Sequence, residues 1–251
     1  MEKETVIKIR GLVNGFGSQI LHDHLDLDVY RGEVLGVVGG SGTGKSVLLR
    51  SIIGLNQTRA GTIEVFGKDT SKLNDTQMRD IEMRWGVLFQ EGALFSSQTI
   101  AENIQVPLRE YLDMPQQLMN EIASMKLSIV GLPESAAPKF PSELSGGMKK
   151  RAGLARALAL DPDIVFLDEP TAGLDPISAN MFDELIKYLQ KSLNLTVFMV
   201  THDLDTLRAT TDRIAVLVDK KIVVGTIDEL RQNPHPWIQE YFSGPRGRAA
   251  A

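Results

Sequence analysis

The sequence predicts an α/β fold with a mostly parallel core sheet, an N-terminal antiparallel β subdomain and an inserted helical subdomain. Three observations carry this. An apolar run, Val34-Leu35-Gly36-Val37-Val38, leads into a glycine loop and a helical pattern, Val47 to Ile53, leads out of it. Apolar, β-rich runs at Asp163 to Asp168, Thr196 to Thr201 and Ile214 to Val218 are separated by helical stretches. Fully apolar strands alternating with helices form parallel sheets covered on both faces. Between the early and late strands lies a mostly helical block from about 99 to 160.

Taken in order, Val6 to Leu12 and Ile20 to Val29 carry roughly alternating apolar residues and read as strands, with Asn14 to Ser18 as the turn between them. Thr62 to Gly67 reads as a further strand ending in a turn, which suggests an antiparallel sheet. Leu73 to Arg84 is expected to be helical, and Gly86 to Gln90 a short buried strand ending in a polar residue. The helical block is expected to break at Pro107, Pro115, Pro133, Pro138 and Pro141. Ile177 to Leu189 and Asp228 to Arg231 read as helices. One domain is expected over 1–243 with the block at 99–160 inserted, followed by a tail, 244–251, whose composition is that of a disordered end.

The chain has 251 residues, 43% of them hydrophobic, a formal net charge of −5 and no cysteine. Disulfides and thiolate chemistry are therefore excluded. The negative charge argues against nonspecific binding to nucleic acid or to anionic lipid, and no nucleic-acid partner is expected. No apolar run approaches the roughly 20 residues needed to cross a bilayer, and Met1-Glu2-Lys3-Glu4 has no signal-peptide core. A cytoplasmic protein is expected.

The loop Gly39-Gly40-Ser41-Gly42-Thr43-Gly44-Lys45-Ser46 fits G-x-x-x-x-G-K-S/T between a strand and a helix. Glycines let successive N–H groups turn toward an anion, and the following helix adds the positive end of its dipole. A plain glycine turn requires neither the lysine nor the hydroxyl. Lys45 is expected to reach the outer phosphates of a nucleotide and Ser46 to ligate Mg²⁺. Asp168 ends an apolar strand and should hold Mg²⁺, while the adjacent Glu169 should deprotonate the attacking water. Gln90 and His202, also placed at strand ends, are expected in the Mg²⁺ shell and on the γ-phosphate respectively. Phe16, in the first turn, is expected to stack on adenine. Ser145-Gly146-Gly147, at the start of the helical run Lys149 to Leu160, forms a second anion-binding end. A second cradle on one chain makes sense if it serves the nucleotide of another chain. Lys149-Lys150-Arg151 reads as a solvated face of that helix. His22-Asp23-His24 reads as alternation along a strand rather than a metal site, and His235 shows no partner.

At this point the chain resembles the ATP-binding cassette ATPases, P-loop NTPases, over nearly its whole length and with the motifs in order. Gly39 to Ser46 is similar to Walker A, Ile164 to Glu169 to Walker B and Leu144 to Met148 to the signature. Gln90 is similar to the Q-loop glutamine, Ala172-Gly173-Leu174-Asp175 to the D-loop and His202 to the switch histidine. Phe16 matches the base-stacking aromatic. The resemblance implies ATP and Mg²⁺ as cofactors, and a head-to-tail homodimer in which Walker A of one chain and the signature of the other hold each ATP. Two departures are visible. Met148 stands where the signature usually closes with Gln, and Val47 replaces a common Thr near the α-phosphate. Both are expected to weaken nucleotide affinity.

Within the family, Phe89 to Phe95, Asn103, Pro107 to Glu110, Pro141 to Met148 with Arg151-Ala152, and Asp219 to Val223 look like the ATPases that serve Mce-type lipid-binding proteins. The maintenance-of-lipid-asymmetry (Mla) type is most similar. That resemblance implies phospholipid transport between inner and outer membranes. It also implies an integral permease dimer, a periplasmic Mce-domain protein, a small cytoplasmic STAS-domain protein, and a peripheral place on the cytoplasmic face of the bacterial inner membrane. Ala93-Leu94-Phe95 is expected to line a groove for a permease helix, with ordinary core as the alternative. The same ATPase driving another solute, and a non-transport cassette of translation or DNA repair, are the other readings. The second of these commonly has two cassettes or a coiled-coil insert, and this chain has one Walker A loop and no heptad run. A P-loop kinase would not need the signature.

Overall fold

The computed structural model describes residues 3–244. In chain order the elements are β1 (Thr5–Phe16), β2 (Gln19–Tyr30), β3 (Val34–Gly39), α1 (Lys45–Ile52), β4 (Ala60–Val65), β5 (Lys68–Asp69), α2 (Asp75–Glu82), β6 (Trp85–Leu88), α3 (Ile100–Tyr111) and α4 (Gln116–Ile129). Then come α5 (Gly146–Ala157), β7 (Ile164–Asp168), α6 (Pro176–Leu193), β8 (Thr196–Val200), α7 (Leu204–Thr210), β9 (Arg213–Val218), β10 (Lys221–Gly225), α8 (Ile227–Arg231) and α9 (Pro236–Ser243). Of the expected tail, Gly244 caps α9 and 245–251 lies outside the described residues.

The described chain divides into two compact units. One is Glu82–Leu195, and the other is made by the chain on both sides of it. The flanking unit carries an antiparallel sheet in the order β2-β1-β4-β5, as the alternation of its strands predicts. It also carries β3, which lies parallel to both β8 and β9. Every residue of β3 is buried, the mark of a strand covered on both faces. Val38, Ile214 and Val216 pack with Leu207 of α7, Leu230 of α8 and Ile238 and Phe242 of α9.

Strand β10 has no counterpart among the strands that the sequence pattern predicts. It pairs antiparallel with β9 through a turn whose central residues, Asp219 and Lys220, have φ of 48° and 64°. Two left-handed residues make the tight hairpin turn that matches strand twist. The usual sequence signal is Asn-Gly or Asp-Gly, and Asp-Lys hides it. Asp219 also supplies the partner that His235 was expected to lack, with its carboxylate 3.1 Å from Nε2.

The unit Glu82–Leu195 holds β6 and β7, paired parallel from Trp85↔Ile164 to Leu88↔Leu167, with α6 and the helical block. Helices α3, α4 and α5 pack on one another. The expected break at Pro107 does not occur, because α3 runs through it. An interior proline costs about 3 kcal/mol. Burial of Ile100, Ile104 and Leu108 on one stripe contributes roughly 1.5–3 kcal/mol each and outweighs it. A capping box between Thr99 and Glu102 fixes the helix start. Pro115 and Pro141 instead stand at element starts, as expected of breakers.

Among the described residues no helix is long and apolar enough to cross a membrane.

Candidate functional site

In the flanking unit, β3 delivers the chain into the glycine loop and α1 begins at Lys45. Gly42 and Gly44 have φ of 76° and 99°, which glycine adopts at no steric cost. Gly44 precedes the helix with no side-chain cap, so the helix opens on main chain. A Cβ on Gly39 would lie 2.7 Å from the Leu217 carbonyl of β9 and from Thr43 Oγ1, so the start of the loop is packed tightly between the neighbouring strand and the loop's own threonine. Thr43 Oγ1 donates to the Gly40 carbonyl at 2.9 Å. The Lys45 ammonium donates to the carbonyls of Gly39, at 2.9 Å, and Gly40, at 3.1 Å, and so lies along the loop. This is a main-chain cradle with a cation on it, and a phosphate chain fits it.

The loop has neighbours that the sequence did not reveal. His22 on β2 is buried, and its Nε2 would stand 2.7 Å from a Cβ on Gly44. Burial holds its pKa below the ordinary imidazole value. His24 is exposed at φ 52° and pairs with Asp23. Trp237 of α9 brings its indole nitrogen to 3.7 Å from the Cβ direction of Gly40. His202 follows β8 two residues past its end and is exposed, and its carbonyl accepts the Tyr241 hydroxyl of α9 at 2.9 Å. Thus α9, which no sequence pattern marked, lies beside the loop and hydrogen-bonds the segment of His202. Phe16 closes β1 and is 61% exposed, with its ring open to a ligand.

In the other unit, every residue of β7 is buried through Asp168, and Glu169 follows at φ 51°. A left-handed residue with a side chain stores about 1–3 kcal/mol of strain, and such residues cluster at functional sites. Gln90 is exposed, two residues past β6. The Ser46 hydroxyl in the flanking unit, and the Asp168 carboxylate and Gln90 amide in this one, each carry an oxygen donor of the kind that Mg²⁺ takes.

Ser145 caps α5 by accepting from the Met148 N–H at 3.3 Å, and Ser145 and Gly146 are exposed. Asp175 caps α6, accepting from the Ile177 and Ser178 N–H groups and, at 2.6 Å, from the Ser178 hydroxyl. The Ser178 hydroxyl and N–H hold the Asp175 carboxyl below its usual range.

The expectation of a solvated Lys149-Lys150-Arg151 face is corrected. Lys150 is 6% exposed and its ammonium donates to the carbonyls of Gln90 and Glu169. Arg151 donates to the Val130 carbonyl at 2.7 Å. Charge alone suggested solvent, whereas these side chains donate to main-chain carbonyls. Phe95, expected in a groove or in the core, is 50% exposed, and its N–H and carbonyl are both held by the buried Asn103 side chain.

Residues 22–172 match a family model described as ABC transporter. The chain is 38% identical to the intermembrane phospholipid transport system ATP-binding protein MlaF of Haemophilus influenzae, over 96% of this chain and 91% of that protein. It is 39% identical to the probable ribonucleotide transport ATP-binding protein mkl of Mycobacterium tuberculosis, over 96% of this chain and 67% of that one. Among solved structures, a dimeric ATP-binding cassette in a post-hydrolysis state bound to ADP and Pi superposes with a TM-score of 0.79 and 29% identity, covering 88% of this chain and 98% of that one.

Proposed function

The chain belongs to the ABC transporter family as one of its ATPases, and from that premise we propose that it powers phospholipid transport between inner and outer membranes through a separate permease. The observation that carries this reading is the near end-to-end similarity to a protein named for intermembrane phospholipid transport. A chain with no membrane-crossing helix among its described residues needs a membrane partner to do such work. The proposed partners are a second copy of the chain, an integral permease dimer, a periplasmic Mce-domain protein and a small STAS-domain protein. The proposed place is peripheral, on the cytoplasmic face of the inner membrane.

The residues take the following proposed roles. The main chain of Gly39 to Gly44 cradles ATP phosphates, Lys45 neutralises the outer ones, and Val47 lies near the α-phosphate. Ser46, Asp168 and Gln90 hold Mg²⁺, which neutralises charge on the phosphates when bound. Glu169 takes a proton from the attacking water, His202 holds that water and the γ-phosphate, and Phe16 stacks on adenine. Ser145, Gly146 and Gly147 are lent to the nucleotide of the second copy, and the exposure of Ser145 and Gly146 supports that.

The mycobacterial relative is named for ribonucleotide transport, which favours a second reading with the same chemistry and a different cargo. A tagged pull-down from gently solubilised native membranes, with mass spectrometry of proteins and lipids, separates them. Co-recovery of a permease, an Mce-domain protein and phospholipid is expected. A permease with a solute-binding protein and no lipid would discard the lipid cargo, and recovery of ribosomes alone would discard transport.

A further inference from the structure

Lys150 lies inside α5, the helix that Ser145 opens, and its ammonium is enclosed by protein. Burying a charge is costly unless hydrogen bonds compensate. An apolar side chain of the same length would fill the space without that cost. What the ammonium adds is donation to two main-chain carbonyls, those of Gln90 and, at 3.0 Å, Glu169. Burial lowers its pKa, against the opposing pull of Glu91, Glu169 and Asp168.

Those two carbonyls belong to different segments. One follows β6 and the other follows β7. Glu169 is left-handed, a conformation that persists only where the surroundings hold it, and Lys150 holds its carbonyl. Further along α5, Arg156 donates to the carbonyls of Ala93, at 2.7 Å, and Gly92, at 2.8 Å. Helix α5 therefore grips the segment after Gln90 at successive carbonyls and reaches Glu169 with the same cation that grips Gln90.

We propose that Lys150 is a positioning residue that ties the Gln90 segment to the Glu169 main chain, so that displacement of that segment moves the general base. The inference rests on the roles proposed above for Gln90 and Glu169.

The test is steady-state ATP hydrolysis by the full-length chain together with the membrane proteins that co-purify with it, kcat and KM being read separately. Lys150→Met keeps a long unbranched apolar stem and removes the donors. It is expected to lower kcat by roughly 10–100-fold, the scale of a catalytic group misplaced by about an ångström, while KM stays near the parent value. Lys150→Gln offers two amide N–H donors for the two carbonyls and is expected to retain most of kcat. Should Lys150→Met not fold, Lys150→Asn replaces it with the same expectation, since its amide is too short to reach both carbonyls. A folded donorless variant with normal kcat overturns the proposal. So does an equal loss in Lys150→Gln, or a change in KM alone. Glu169→Gln is run in parallel. Normal turnover there removes the base assignment and the coupling with it, whereas low turnover there with normal turnover in Lys150→Met removes the coupling alone.

Discussion

Phe16 and Lys150 show how differently single residues declare themselves. An aromatic at a turn is legible in sequence because its neighbours are turn formers, and the structure leaves the ring 61% exposed. Base–aromatic stacking is worth about 1–3 kcal/mol. Phe16→Ala is therefore expected to weaken ATP binding by roughly 5–150-fold, at 1.4 kcal/mol per tenfold, with little change in thermal stability. Titration with a fluorescent ATP analogue reads it, and an unchanged affinity would remove Phe16 from the base site. Lys150 was misread because a run of charges carries no information about which member faces carbonyls. Only packing decides that. His22 is a similar case: its contact with Gly44 joins residues that sequence separates.

The contact of α5 with β6 depends on the smallest side chains. A Cβ on Gly86 of β6 would lie 1.9 Å from the Ala157 carbonyl at the end of α5. A Cβ on Gly153 would lie 2.7 Å from Leu88 Cδ1. Helix and strand thus touch through main chain, which is how α5 comes close enough for Lys150 to reach Gln90. Overpacking costs about 1–3 kcal/mol, and in a chain of this size each kcal/mol shifts Tm by about 2–4 °C. Gly86→Ala is expected to lower Tm by roughly 2–12 °C and to lower ATP turnover with it. Calorimetry that finds no shift would show that α5 can move away freely, and would weaken the case for a rigid grip. Helix α3 makes the complementary point, since burial of its apolar stripe carries it through Pro107.

For the whole molecule the decisive question is how copies assemble. Ser145 and Gly146 are exposed at the start of α5, where a second nucleotide could reach them. With Glu169→Gln slowing hydrolysis, ATP is expected to drive the chain from monomer to dimer in sedimentation velocity. Ser145→Arg in the same background is expected to abolish the dimer while one chain still binds ATP. Its lost cap costs about 0.5–2 kcal/mol and is read separately as Tm. A chain that stays monomeric with ATP at every concentration would refute the shared site.

The sequence by itself determined the fold class, the glycine loop between β3 and α1, and the acidic pair ending β7. These are local patterns: apolar runs of strand length, glycines where the main chain must turn, and carboxylates next to a buried strand. It did not determine β10, α9 or the course of α3 through Pro107. A two-residue turn without glycine, a short helix behind prolines and a proline outweighed by burial each depend on what packs against them. Tertiary structure alone decided that a lysine from a charged run is buried across two carbonyls and that a histidine of β2 lies on the glycine loop. Such contacts depend on three-dimensional proximity, and periodicity along one chain carries no record of it.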